Sequence, residues 1–260
     1  MLDNHFDSGR PFFSDFQPSQ DFDWEMSRAE KYTLIGLLEH LKPNYSIEIG
    51  TYKGGSLQVI SEYSEEVYSL DISPEPQRTL KDQFKNVEFS IGNSPELLPD
   101  LFQSIEHKDG RLNFILVDGD HSKMGVYKDL KTILEYPHKN DLTVLVHDSF
   151  NPRSRQGMKM IDYSKYDHVE YVELDYVQGS FWQNGAYREM WGGFALIKIG
   201  RSGKNGKVNQ TAVKAFNTSY KHSVHLFKDT LQFLKPLEKI VNRIVGRKHK
   251  SDKYMNFDSE

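Results

Sequence analysis

Short apolar runs recur along the chain, and between them apolar residues return every three or four positions. "YSIEIG", "EVYSLDIS", "VEFSIG", "LNFILVD" and "LTVLVHD" are the first five runs, and each has the length of a buried strand. The intervening segments read as helices. In "WEMSRAEKYTLIGLLEHL", Tyr32, Ile35, Leu37, Leu38 and Leu41 fall at helical spacing, and Lys42, Pro43 and Asn44 end the run. "GGSLQVISEYS", "PEPQRTLKDQF", "SPELLPDLFQSI", "GVYKDLKTILEY" and the shorter "RQGMKMIDYS" follow in the same way. Strands that are apolar on both faces and alternate with helices predict a parallel sheet covered by helices. "HVEYVEL" and "GGFALIKI" close the pattern without a helix between them. A polar, aromatic insertion at 174–192 joins them, which predicts an antiparallel hairpin at the sheet edge.

The pattern divides the chain of 260 residues into three parts. Residues 1–22 are an irregular lead-in whose aromatics, Phe6, Phe12, Phe13, Phe16 and Phe22, are expected to pack on the domain. Residues 23–200 are the α/β domain. From residue 201, "RSGKNGKVNQ" has linker composition. A basic segment follows, in which Leu234, Leu237, Val241 and Ile244 form one apolar stripe, and a polar tail ends the chain. That stripe would serve a surface helix, a homodimer contact or peripheral contact with a membrane.

Net charge is −4 with 27% charged residues, which gives no general electrostatic case for a nucleic-acid partner. The absence of cysteine excludes disulfides, thiolate metal sites and cysteine nucleophiles. The first residues lack the basic start and apolar stretch of a signal peptide, so the expected location is cytoplasmic.

The turn after the first strand carries candidate chemistry. Gly50, Gly54 and Gly55 allow a tight turn and close approach of a ligand, and the helix from near Ser56 presents free amides. Asp71 ends the next strand, about 20 residues after the first glycine, the spacing at which a carboxylate reaches ribose hydroxyls. The order G-x-x-x-G-G departs from the dinucleotide fingerprint, so the turn suits a nucleoside better than a pyrophosphate. Glu48 suits a cationic or amine-bearing ligand.

At the far strand ends, Asp118 closes the fourth strand and Asp148 the fifth, both toward the ligand crevice of a doubly wound sheet. Two converging carboxylates repel unless a proton or a cation lies between them, and a hard divalent ion such as Mg²⁺ would serve. Asp120 either shapes its turn or joins a metal. His121 either caps the following helix or acts as a base, since its reference pKa lies near neutrality. His147 is a candidate for orienting Asp148 or, like Asp120, for joining the metal. Phe181, Trp182, Tyr187 and Trp191 in the insertion are either edge packing or a substrate wall.

"EIGTYKGGS" at 48–56, "GNSPELLPDL" at 92–101 and "VDGDHSKMGVYKDL" at 117–130 resemble the class I S-adenosylmethionine-dependent methyltransferases. The first two are similar to the catechol O-methyltransferase-like branch. The third resembles the macrocin O-methyltransferase and cephalosporin-hydroxylase-like group. The resemblance spans roughly 25–199. It implies a Rossmann-like, seven-stranded, mostly parallel sheet with a reversed edge strand and helices on both faces. It also implies S-adenosyl-L-methionine as cofactor, held by Glu48, Gly50, Tyr52, Gly54, Ser56, Asp71, Asn93, Ser94 and Asp118. By the same resemblance His121 and Asp118 are catalytic, and Asp118, Asp148 and Ser149 hold a divalent cation, Ser149 standing where an amide or carboxylate is usual. The expected reaction is O-methylation of a small molecule, sugar, glycan or natural-product hydroxyl. N-methylation, a hydroxylase-like reaction and a non-catalytic cofactor-binding role stay open on the same fold.

Overall fold

The computed structural model describes residues 15–184, 187–200 and 208–226, with the side chains of 183, 184 and 187 left aside. The apolar stripe and polar tail from residue 227, and lead-in residues 1–14, lie outside this range. Five βα units come first: α1 (Arg28–Leu41), β1 (Tyr45–Ile49), α2 (Leu57–Tyr63), β2 (Glu66–Asp71), α3 (Glu75–Leu80), β3 (Val87–Ile91), α4 (Ser94–His107), β4 (Leu112–Val117), α5 (Lys123–Glu135) and β5 (Leu142–His147). Then come α6 (Pro152–Lys159), β6 (Val169–Val177), β7 (Ser180–Asn184), β8 (Tyr187–Trp191), β9 (Phe194–Ile199), β10 (Val208–Asn209) and α7 (Val213–Lys221).

The main sheet runs β10-β6-β9-β5-β4-β1-β2-β3. Strands β1 to β5 pair in parallel, and β9 runs antiparallel between β5 and β6. All seven expected strands are present, and the antiparallel pair β6–β9 is the expected hairpin. Val208 and Asn209, assigned to a linker by composition, instead add an eighth strand parallel to β6. Their backbone finds partners on the open edge of β6, which Gly- and Lys-rich composition does not announce. The aromatic insertion forms its own two-stranded sheet, β7–β8.

The two-residue period of the strands builds two cores. On β4, Ile115 and Val117 join Leu98, Phe102, Ile105, Val126, Leu130 and Ile133 of α4 and α5. The intervening Phe114 and Leu116 join Leu34, Ile35, Leu38, Leu57 and Ile60 of α1 and α2. Phe16 and Phe22 of the lead-in, and Trp24 and Met26 just after it, pack on this second core, so Phe16 and Phe22 behave as expected from their apolarity.

Candidate active site

The loops after β1, β2, β4 and β5 meet at the carboxyl ends of the parallel strands, where an open α/β sheet binds ligands. Gly50 has φ 85°, and a side chain there would collide with the backbone of Asp118. The glycine therefore lets the β1 and β4 ends approach, and the amide of Asp118 donates to the carbonyl of Ile49 at 2.8 Å. Space beside Gly54 is taken by Leu80 and Phe22, and beside Gly55 by the backbone of Asp23 and Trp24. These two glycines thus accommodate the chain itself as much as any ligand.

Asp71 holds the turn together. Its Oδ2 accepts from the amides of Thr51 at 3.0 Å and Tyr52 at 3.3 Å, and its Oδ1 from Ser73 at 2.8 Å. Tyr52 sits in the left-handed region at φ 52° with its side chain largely exposed. Glu48 is fully buried and accepts from Ser56 Oγ at 2.5 Å, while its Oε2 has no partner among the described residues. Burial first, with Asp118 and Asp71 adding to it against the Ser56 and Thr51 hydrogen bonds, pushes the Glu48 carboxyl up to about 8. Asn93 occupies the N-cap position of α4 without a side-chain capping bond, its Nδ2 donating instead to Glu96 Oε1 at 2.9 Å, and Ser94 Oγ donates to Asp129 at 2.5 Å. Burial raises the Asp129 carboxyl to about 6 in spite of that bond.

The acidic strand ends are joined by histidines. His147 Nδ1 lies 2.7 Å from Asp118 Oδ1, and its Nε2 lies 2.9 Å from Glu30 Oε1. An ionised carboxylate only accepts, so both ring nitrogens donate and the ring is an imidazolium. Burial pulls the His147 pKa down, but Asp118, Asp148 and Glu30 outweigh it and hold it well above the usual histidine range. His121 Nδ1 pairs with Asp148 Oδ2 at 2.8 Å, the His121 side chain being 41% exposed. Burial opposes protonation of His121 as well, and Asp148 reverses the sign and raises it. Asp148 occupies the left-handed region at φ 55°, and its Oδ1 accepts from Gly192 N at 2.5 Å. Both histidines overcome the burial penalty on Asp148 and hold it down at about 2.

Asp118 and Asp148, the two expected partners, both lie beside His147, whose role sequence reasoning left open: its Nδ1 bonds Asp118 and stands 4.0 Å from Asp148 Oδ1. Asp118, His147 and Asp148 bring potential ligand atoms within 4.8 Å of one another. Ser149, the expected third ligand, is buried, and its amide donates to the carbonyl of Gly193 at 3.3 Å. Asp120 serves its own turn, accepting from the amide and hydroxyl of Ser122, both at 2.8 Å. Ser122, rather than His121, caps α5.

Glu30 is the residue that sequence reasoning missed. Its Oε2 accepts from Ser27 N at 2.6 Å in a capping box, and its Oε1 accepts from Gly193 N at 2.5 Å as well as from His147. The "SRAE" pattern signals a cap, but nothing local signals the second oxygen's reach across the fold. On the open side, the Trp191 ring stands edge-on to His121 with centroids 5.9 Å apart.

Residues 47–149 match a family model described as a methyltransferase domain. Among solved structures, the chain is similar to an O-methyltransferase from Bacillus cereus in complex with SAH, at 14% identity, covering 71% of this chain and 84% of that one, TM-score 0.48. It is also similar to the O-methyltransferase TomG from Streptomyces achromogenes, involved in tomaymycin synthesis, at 14% identity over 69% and 83%, TM-score 0.46. A third is the N-methyltransferase NodS from Bradyrhizobium japonicum, at 10% identity over 66% and 96%, TM-score 0.42. No curated protein sequence matches the chain.

Proposed function

We propose that the protein methylates a hydroxyl oxygen of a small sugar, glycan or natural-product acceptor, with S-adenosyl-L-methionine as donor and His121 as general base. The observation that carries this reading is the His121–Asp148 pair at 2.8 Å. An amine attacks as its neutral form, whereas a hydroxyl must surrender a proton. A base oriented by a buried carboxylate answers that need.

The cradle fits the cofactor. Asp71 keeps its carboxylate at the end of β2, where ribose hydroxyls would lie, and the unpartnered Glu48 Oε2 leaves a buried hydrogen-bonding atom open to a polar group of the cofactor. Glu48, Gly50, Tyr52, Gly54, Ser56, Asp71, Asn93, Ser94 and Asp118 would hold it. When bound, it supplies a methyl group activated by a sulfonium. His121 donates Nδ1–H to Asp148, so in the neutral ring Nε2 carries the lone pair that takes the acceptor proton. Asp148, fixed by Gly192 N, stabilises the resulting imidazolium. Asp118 is held in place by His147 and lines the same crevice.

Two carboxylates and an imidazole are donors of the type that a divalent cation accepts, so Asp118, His147 and Asp148 would hold one. There it would lower the pKa of an acceptor hydroxyl. It would compete with the proton that His147 shares with Asp118.

Calorimetric titration tests the donor. S-adenosylmethionine should bind the intact chain, and Asp71→Ala should weaken it at least about tenfold, or about 1.4 kcal/mol. His121→Ala should keep that affinity and lose about a hundredfold or more in methyl transfer to the acceptor found by labelled-cofactor mass spectrometry. Unchanged binding in the Asp71 variant, or full turnover in the His121 variant, would defeat the respective half of the proposal.

A further inference from the structure

Residues 208–226 lie beyond the segment that matches the methyltransferase family, yet they grip both walls around His121. At one end they lock onto the sheet edge. Val208 and Asn209 pair with Val172 and Glu173, Thr211 N and Oγ1 donate to Glu173, and Ala212 N donates to Asp175 Oδ2 at 3.0 Å. Arg155 sits at the centre of this attachment with 3% side-chain exposure. Its Nη1 donates to Asp175 Oδ1 at 2.5 Å, to the carbonyl of Leu174 at 3.0 Å and to that of Ser149 at 3.4 Å. The ring of Phe216, from α7, lies over the guanidinium at 4.6 Å and meets the ring of Phe150 edge-on at 5.5 Å. The loop that follows Asp148 is thus tied through Arg155 and Phe150 to α7.

The other end reaches the aromatic hairpin. Ser223 and His225 are buried, and His225 Nε2 accepts from the backbone amide of Met190 at 3.2 Å. An imidazole nitrogen that accepts must be unprotonated, so this ring carries its proton on Nδ1. Met190 is itself fully buried, and the next residue, Trp191, is the one that stands against His121. Trp191 Nε1 in turn donates to Glu189 Oε2 at 3.1 Å, fixing the indole on β8. One segment of chain therefore sets the position of the strand that carries the aromatic wall.

We propose that residues 208–226 are a brace for the acceptor side of the site, with His225 as a positioning residue that holds β8, and so Trp191, against His121. The inference rests on the reading of this crevice as the acceptor site. Its test uses no methyl transfer, so the two can fail separately.

The experiment uses the full chain labelled with 5-fluorotryptophan, whose three tryptophans give separately assignable resonances, together with hydrogen exchange. His225→Ala should shift and broaden the Trp191 resonance. It should also speed exchange of the Met190 amide about five- to tenfold, the order expected for loss of one hydrogen bond. The Trp24 resonance and the affinity for S-adenosylhomocysteine should stay unchanged. His225→Gln, whose side-chain oxygen can accept the same bond, should restore both local signals. If the alanine variant does not fold, His225→Asn, which is too short to reach Met190, replaces it. An unmoved Trp191 resonance with unchanged Met190 exchange would overturn the proposal, as would equal loosening at Trp24 and Trp191 or failure of glutamine to restore them.

Discussion

At the scale of single residues, the site is a problem of charge balance that the chain resolves mainly with protons. Glu30, Asp118 and Asp148 face His121 and His147, and each histidine nitrogen with a described partner meets a carboxylate. Glu48 stands apart, since burial has made its neutral form the stable one. Its folded pKa of about 8 exceeds the ordinary value of 4.5. The protonated group therefore contributes its full stability below pH 4.5 and loses it as pH rises to about 8. Over that window the slope approaches about 1.4 kcal/mol per pH unit. Urea unfolding of the wild type and Glu48→Gln at pH 5 and pH 8 isolates the effect, and the wild type should lose more stability than the variant on going to pH 8. Equal losses would show that Glu48 is ionised in the fold. Gly50, Asp71, Asp118 and His121 were legible in the sequence because each stands at a strand end in a local motif. His147 was only half legible. Its neighbour Asp148 explained its presence, while its true partners, Asp118 and Glu30, lie 29 and 117 residues away.

At the scale of elements, the order of strands and helices followed from periodicity because each βα unit buries both strand faces locally. What periodicity could not show is where elements outside those units attach. Helix α1 illustrates this. Its apolar face, Leu34, Ile35 and Leu38, announces a packed helix, but only the fold shows that its first turn seals the end of β5. Glu30 joins Ser27, Gly193 and His147 through one buried carboxylate. Gly192, at φ 74°, completes the junction, since a side chain there would press on that same carboxylate. Removing the negative charge leaves the His147 imidazolium short of a partner in a site where the two side chains are only 8% and 3% exposed. Glu30→Ala should therefore cost about 3 kcal/mol. The loss would be read from the urea midpoint at constant slope, and Glu30→Gln, which keeps an accepting oxygen, should cost less. A midpoint unchanged in both variants would mean that α1 caps itself and does not support the site.

At the scale of the whole molecule, the packing of residues 208–226 changes where the chain should be divided. A cut near residue 201, natural from composition, would remove β10, Phe216 and His225 and so disturb Arg155 and β8 along with the tail. A cut after residue 226 leaves these contacts intact and removes only the basic segment that carries Lys235, Lys239, Arg243, Arg247, Lys248 and Lys250. Among the described residues no helix is long and apolar enough to cross a membrane, and for the basic segment, which lies outside them, peripheral membrane contact is the proposal. The sequence of the tail supplies the two requirements for such contact, an apolar stripe and clustered positive charge on a chain whose net charge is −4. Each lysine or arginine near an anionic surface contributes about 1 kcal/mol, and the attraction falls off within a Debye length. The full chain should therefore float with vesicles rich in phosphatidylserine at low salt, and sink as salt is raised or when neutral vesicles are used. The chain ending at residue 226 should stay unbound throughout while keeping its affinity for S-adenosylmethionine. Equal flotation of both chains, or none by either, would leave the stripe to a contact between copies of the protein, and sedimentation of the same two chains would then show the longer one as the larger species.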